Sequence, residues 1–181
     1  MKIVDNFLPK FAEIKRYALQ AEYKQEIAIN KDFHLAAIPK HIHVPIYNLI
    51  EKRFFSNKII PKTCFFRLST PDIDTDTRIH TDQNHCNYVG VLYLTENCSE
   101  LNGTAFWDHP KYGNSLYLEA KAKEIDNVNE YEGKDDSIWS LNTVVGAREN
   151  RLLLYPSNMF HSRYPFKSLG KRIAAIFFWY L

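Results

Sequence analysis

The sequence predicts an α+β fold, mainly β, in which a double-stranded β-helix (jelly-roll) core carries N-terminal helices packed against it. Three observations predict it. Helical periodicity is confined to the first third of the chain, and short aromatic and β-branched runs separated by turn residues dominate from residue 63 onward. A long polar stretch then interrupts those runs between Asp108 and Asn150.

Ile3 and Val4 start a strand, and Asp5-Asn6-Phe7-Leu8-Pro9 turns the chain. Phe11, Ile14, Ala18 and Ala21 then recur at helical spacing, with Tyr17 and Leu19 widening the apolar stripe. A second helix is expected over His43 to Phe55, where Val44, Tyr47, Ile50 and Phe54 share a face and Pro45 suits a first turn. Strands are expected near Cys64 to Leu68, Arg78 to Asp82, Tyr88 to Thr95, Thr104 to Trp107, Arg151 to Tyr155 and Arg172 to Tyr180. The polar segment at about 108–150, with Lys111-Tyr112-Gly113-Asn114 and Glu132-Gly133-Lys134-Asp135-Asp136, reads as an insertion over a site in a single domain spanning 1–181.

The chain has 181 residues, 45% hydrophobic and 24% charged, which suits one globular domain and excludes global disorder. Its formal net charge is +2, with basic residues scattered, so neither nucleic acid nor a membrane surface is favoured as a partner. The longest apolar run, Ile173 to Leu181, falls far short of the ~20 residues that span a bilayer. Charge and proline interrupt the N-terminus before a signal-like stretch develops, so a cytoplasmic location is expected. Cys64, Cys86 and Cys98 form no CxxC pair and read as reduced structural thiols.

The chemistry-bearing residues are His80-Thr81-Asp82 and the distant His161. On a strand, residues two apart face one way, so His80 and Asp82 can converge, and a histidine from a neighbouring strand completes a trigonal face. Two imidazoles and a carboxylate with open positions form the ligand set of non-haem Fe(II) oxygenases. Eleven residues after His161 comes Arg172, at the head of the last strand. Period-two alternation groups Arg172 with Ala174, Ile176 and Phe178, so if that face is internal a guanidinium enters an apolar cavity. Such burial is costly without an anion, and a dicarboxylate would supply one.

With these residues in place, the chain resembles the Fe(II)- and 2-oxoglutarate-dependent dioxygenase superfamily, nearest its prolyl-4-hydroxylase-like branch. The resemblance rests on the opening Val4 to Pro9, the HxD at His80 and Asp82, Val91-Leu92-Tyr93-Leu94-Thr95, Asn102-Gly103-Thr104-Ala105-Phe106-Trp107, the stretch Leu153 to Ser162 and the closing strand Gly170 to Tyr180. It implies that His80, Asp82 and His161 hold Fe(II) and act as the catalytic centre. It implies further that Arg172 anchors the distal carboxylate of 2-oxoglutarate and that Tyr93 places its hydroxyl on the same carboxylate. The implied reaction consumes O2 and 2-oxoglutarate, releases succinate and CO2, and hydroxylates a small molecule, amino acid or peptidyl residue. Two departures are Asn102-Gly103 in place of Gly-Gly and the adjacent Lys171, a rival for the anchor that strand phase disfavours.

Other polar residues receive plainer readings. His85 as a substitute ligand crowds three ligands at one strand end. His41 and His43 read as a surface loop, Arg163 as exposed in preference to facing the cavity mouth toward an anionic substrate group, and Arg67 as either a contact to the C1 carboxylate or substrate or a salt bridge. Trp107, Trp139, Tyr112 and Tyr131 are either a substrate wall or ordinary core. The alternatives to an oxygenase are a jelly-roll binding or structural protein without metal and a cupin-type metalloenzyme without a keto acid.

Overall fold

The computed structural model describes residues 1–28, 31–73, 78–95 and 101–181. Cys98 lies outside the described residues, whereas Cys64 and Cys86 are free thiols. Burial pushes both upward, Cys64 to about 11 and Cys86 to about 12, so neither is a thiolate nucleophile.

The chain runs β1 (Lys2–Val4), α1 (Phe11–Gln20), β2 (Lys24–Ala28), β3 (Lys31–Ala37), α2 (Lys40–Phe54), β4 (Ile60–Ser69), β5 (Tyr88–Tyr93) and β6 (Gly103–Asp108). It continues through α3 (Ala122–Glu130), a 3-10 turn at Glu132–Lys134, β7 (Ser140–Val145), β8 (Leu152–Pro156), β9 (His161–Tyr164) and β10 (Arg172–Tyr180). A seven-stranded antiparallel sheet, ordered β1-β8-β5-β10-β4-β3-β2, and a three-stranded sheet, β7-β6-β9, form the jelly roll. No helix among the described residues is long and apolar enough to cross a membrane.

The large sheet is buried on both faces, which is why its central strands read as nearly continuous apolar runs. Trp179, Phe177, Ala175 and Ile173 of β10 pack with Leu92, Leu152 and Leu154 against Ile14 and Ala18 of α1 and Ile42, Ile46 and Ile50 of α2. The other face sets Ala174, Val89, Val91, Tyr93, Leu153 and Tyr155 against Phe106 and Val145 of the small sheet. Register keeps the two sets apart: Ala174 opposes Tyr93, Ile176 opposes Val91 and Phe178 opposes Val89 across β10 and β5.

Several expectations need correction. Residues Arg78 to Asp82 form no strand; His80 makes one isolated antiparallel bridge to His161, because a side chain and a turn stand where a second ladder would run. Helix α2 starts at Lys40, so His41 and His43 lie on a helix and not in a loop, with Pro45 inside it. Strands β2 and β3 were not expected: at the sheet edge, Lys24, Gln25 and Glu26 need no apolar alternation. The polar stretch also contains framework, since β7 pairs with β6 from Ser140 to Val145, leaving residues 109–139 as the excursion. Gly103 is required by this pairing, because a Cβ there would lie 1.9 Å from the Val145 carbonyl oxygen.

Candidate metal centre and cosubstrate cavity

Antiparallel backbone bonds fix the two histidines. The His80 N–H donates to the His161 carbonyl and the His161 N–H to the His80 carbonyl, each at 3.0 Å, and the Asp82 N–H donates to Ser157 at 2.8 Å. The His80 and His161 ring centroids are 4.4 Å apart. Asp82 lies between them, with Oδ1 3.8 Å from His80 Nε2 and Oδ2 3.2 Å from His161 Nε2. One ligand atom from each residue fits within 4.8 Å of the other two. Ligands about 2.0–2.2 Å from a shared ion lie roughly 3–4 Å apart, so little adjustment is needed.

The tautomers suit a metal. His80 Nδ1 lies 2.8 Å from the Arg78 carbonyl and His161 Nδ1 lies 2.9 Å from the Met159 carbonyl. A carbonyl only accepts, so each Nδ1 carries the proton and each Nε2 presents its lone pair to the shared point. Burial opposes the charge on Asp82, but the adjacent His161, followed by His80 and His85, holds its carboxyl at about 2. The donor set is two imidazoles, each aiming Nε2 at the shared point, and one ionised carboxylate, and it fits Fe(II) by chemistry and spacing.

These residues line a cavity of about 270 Å³. Arg172 lines it too and is 4% exposed, whereas Lys171 is exposed. The Arg172 Nε donates to the Asn102 carbonyl at 3.0 Å, and its guanidinium carbon lies 5.4 Å from the Tyr93 ring centre. Among the described residues no carboxylate pairs with it. The cavity therefore ends in a buried cation suited to an anion.

Tyr93 stands beside Arg172, with which its side chain interacts. Thr104 of β6 lines the cavity, and the Tyr93 hydroxyl lies 2.8 Å from its Oγ1. Arg163 corrects the reading as exposed: it is 4% exposed, lines the cavity, and donates from Nε to the Pro165 carbonyl at 3.3 Å. Arg67 also lines the cavity, its guanidinium 4.8 Å from the Phe33 ring centre. His85 is an exposed wall residue stacked on Phe178, apart from the ligand triad.

The aromatic wall comes from other residues than those expected. Trp139, Trp107 and Tyr112 pack in a separate core and Tyr131 is exposed, whereas Phe33, Phe65, Phe178 and Tyr155 line the cavity. Tyr155, which the sequence reading gave no role, stands edge-on to His161 at 4.9 Å. Its signal was the β8 alternation, which pairs Tyr155 with Val89 and Leu153 with Val91 on the inner face. Asn129 and Glu130 of α3 also reach the cavity and carried no motif.

Residues 1–164 match the model of DUF6445, a family of unknown function. The chain belongs to that family. The match includes the His80, Asp82 and His161 triad and ends before β10. No curated protein matches the chain. Among solved structures, an oxidoreductase of the 2OG-Fe(II) oxygenase family from Burkholderia pseudomallei is 12% identical, with TM-score 0.59 over 94% of this chain and 78% of that one. The non-haem alpha-ketoglutarate-dependent epimerase SnoN from nogalamycin biosynthesis is 11% identical, with TM-score 0.62 over 97% and 74%. A Pseudomonas putida prolyl-4-hydroxylase is 14% identical, with TM-score 0.52 over 98% and 90%. This DUF6445 chain thus has the jelly-roll fold of the 2OG-Fe(II) oxygenases.

Proposed function

We propose that this protein is an Fe(II)- and 2-oxoglutarate-dependent oxygenase acting as a hydroxylase on a small molecule or peptidyl residue. One observation carries the reading: two histidines and an aspartate converge at a cavity that also holds a buried guanidinium with no carboxylate partner among the described residues. Iron and 2-oxoglutarate would together supply the oxidation, in which one O2 oxygen enters succinate as CO2 leaves and the other enters a substrate C–H bond as hydroxyl.

The residues of the chain bind, orient and exclude water. His80, Asp82 and His161 would hold the ion on one face and leave the opposite positions to cosubstrate and gas. Arg172 would grip the distal carboxylate of 2-oxoglutarate, with the Thr104 hydroxyl, held by Tyr93, as a neighbouring donor. Val91, Ile176 and Tyr155 keep that part of the cavity apolar, which strengthens the guanidinium–carboxylate attraction.

Anaerobic protein given Fe(II) and 2-oxoglutarate is expected to develop a weak visible charge-transfer absorption that His161→Ala removes. Succinate release dependent on 2-oxoglutarate separates this reading from a metalloenzyme that uses no keto acid. The proposal is falsified if wild-type protein shows neither the absorption nor calorimetric binding of 2-oxoglutarate.

A further inference from the structure

The segment carrying His80 and Asp82 has its backbone bonds divided between two sides. The Ile79 N–H donates to the Gly133 carbonyl at 3.2 Å and the His80 N–H to His161 at 3.0 Å. The Thr81 N–H donates to Asn129 Oδ1 at 2.9 Å and the Asp82 N–H to Ser157 at 2.8 Å. Successive amides thus alternate between the 109–139 excursion and the barrel. Asn129 also donates from Nδ2 to the Thr81 carbonyl at 3.1 Å, so its carboxamide pairs with both backbone polar groups of the residue between the two ligands. One carboxamide makes the reciprocal bonds that a neighbouring strand would have made.

Packing repeats the arrangement. Ile79 precedes His80 and Phe160 precedes His161, and both are fully buried. They share one cluster with Ile125 and Val128 of α3 and with Trp139. Gly133 completes it: a Cβ there would lie 2.0 Å from the Ile79 carbonyl oxygen, so only glycine permits this approach.

We infer that Asn129 is a positioning residue for the metal centre, and that the 109–139 excursion is a fixed splint behind the triad and not a mobile lid. The inference rests on the metal reading above and extends it to a residue outside the three ligands. Holding the peptide between two ligands sets their separation before an ion arrives, so less ordering remains to be done on binding.

The experiment uses Ni(II) alone as probe, with calorimetry and amide hydrogen exchange on the full chain. Asn129→Ala is expected to weaken Ni(II) binding about 10- to 100-fold, the range for loss of groups that orient ligands. Asn127→Ala, on the same helix with its amide on Glu132, is expected to leave Ni(II) binding unchanged. Exchange at residues 79–82 should accelerate about tenfold in Asn129→Ala, by loss of roughly one net hydrogen bond, while β5 and β10 keep their protection. Asn129→Asp, which can accept from Thr81 but not donate to it, should fall between wild type and alanine.

Ni(II) affinity within twofold of wild type, with unchanged exchange at 79–82, overturns the inference. So does strong protection of the excursion from proteolysis on adding 2-oxoglutarate, which a lid would show. Wild-type protein lacking His161-dependent Ni(II) binding sinks the metal reading instead, and the clamp on residues 79–82 is then judged by exchange alone.

Discussion

Replacing Arg172 by methionine is expected to leave ligand-free stability nearly unchanged while it sharply lowers cosubstrate affinity. Without an anion, Arg172 contributes one hydrogen bond to the buried Asn102 carbonyl and a cation–π contact with Tyr93. Losing the bond costs about 1–3 kcal/mol, and losing the ring contact about 0.5–2 kcal/mol. Against this stands a desolvation penalty of several kcal/mol for a buried charge without a counter-ion. The two sides roughly cancel, so the variant without ligand should melt within a few degrees of wild type or above it, each kcal/mol being worth about 2–4 °C at this size. With 2-oxoglutarate the balance reverses, since removing one partner of a desolvated charge pair costs about 2–5 kcal/mol, or roughly 30- to 5000-fold in Kd.

The assay is thermal melting of the Ni(II)-loaded protein with and without 2-oxoglutarate, supported by calorimetry. Cosubstrate at one hundred times Kd adds about 2.7 kcal/mol to wild type, a rise of roughly 5–11 °C. At the same concentration Arg172→Met should gain at most about 0.9 kcal/mol, a rise of no more than roughly 2–3 °C. Two results would refute the reasoning: affinity for 2-oxoglutarate within threefold of wild type, or a ligand-free variant melting more than about 8 °C lower. The second outcome would make the guanidinium a structural group and not a receptor for an anion.

Gly103→Ala should spread β6 from β7, because the new methyl meets backbone atoms of Val145 and Gly146 that cannot rotate away; a loss of about 1–3 kcal/mol in urea unfolding is expected, with weaker 2-oxoglutarate binding through the displaced Thr104. Asp5 is held below its usual 3.8, first by its hydrogen bond to Arg151 and further by Arg148, against a smaller effect of burial. A depressed carboxylate pKa adds stability that is complete above 3.8 and is lost as pH falls through the folded-state value. Asp5→Asn should therefore melt below wild type at neutral pH and converge with it in acid, with a gap under about 1 kcal/mol because the pair is solvent-screened. A gap that persists at pH 2 or ignores salt would contradict this assignment.

Periodicity alone determined much of the fold. The helical stripe over Phe11 to Ala21 and the alternation along Arg172 to Tyr180 are local records of which face is buried, and the chain must keep them to fold. Hence Arg172, Ile176 and Phe178 could be grouped from the sequence, and the structure has all three lining the cavity. Polar segments left weaker records. Helix α3 buries only Ile125 and Val128, and β2 sits at an edge, so neither needed a recognisable pattern.

What only the tertiary structure decided is depth and partnership between distant segments. Alternation states that Tyr93 faces inward, but that its hydroxyl meets Thr104 of the other sheet depends on how closely the two sheets pack. Charge suggested a solvent position for Arg163, whereas β9 places it opposite Thr104 inside the barrel. The His-x-Asp spacing was legible, but not the amide of Asn129, 48 residues after Thr81, that pairs with the peptide between the ligands. A residue's type and phase are written in the chain; which remote backbone its side chain meets is settled only when the layers close.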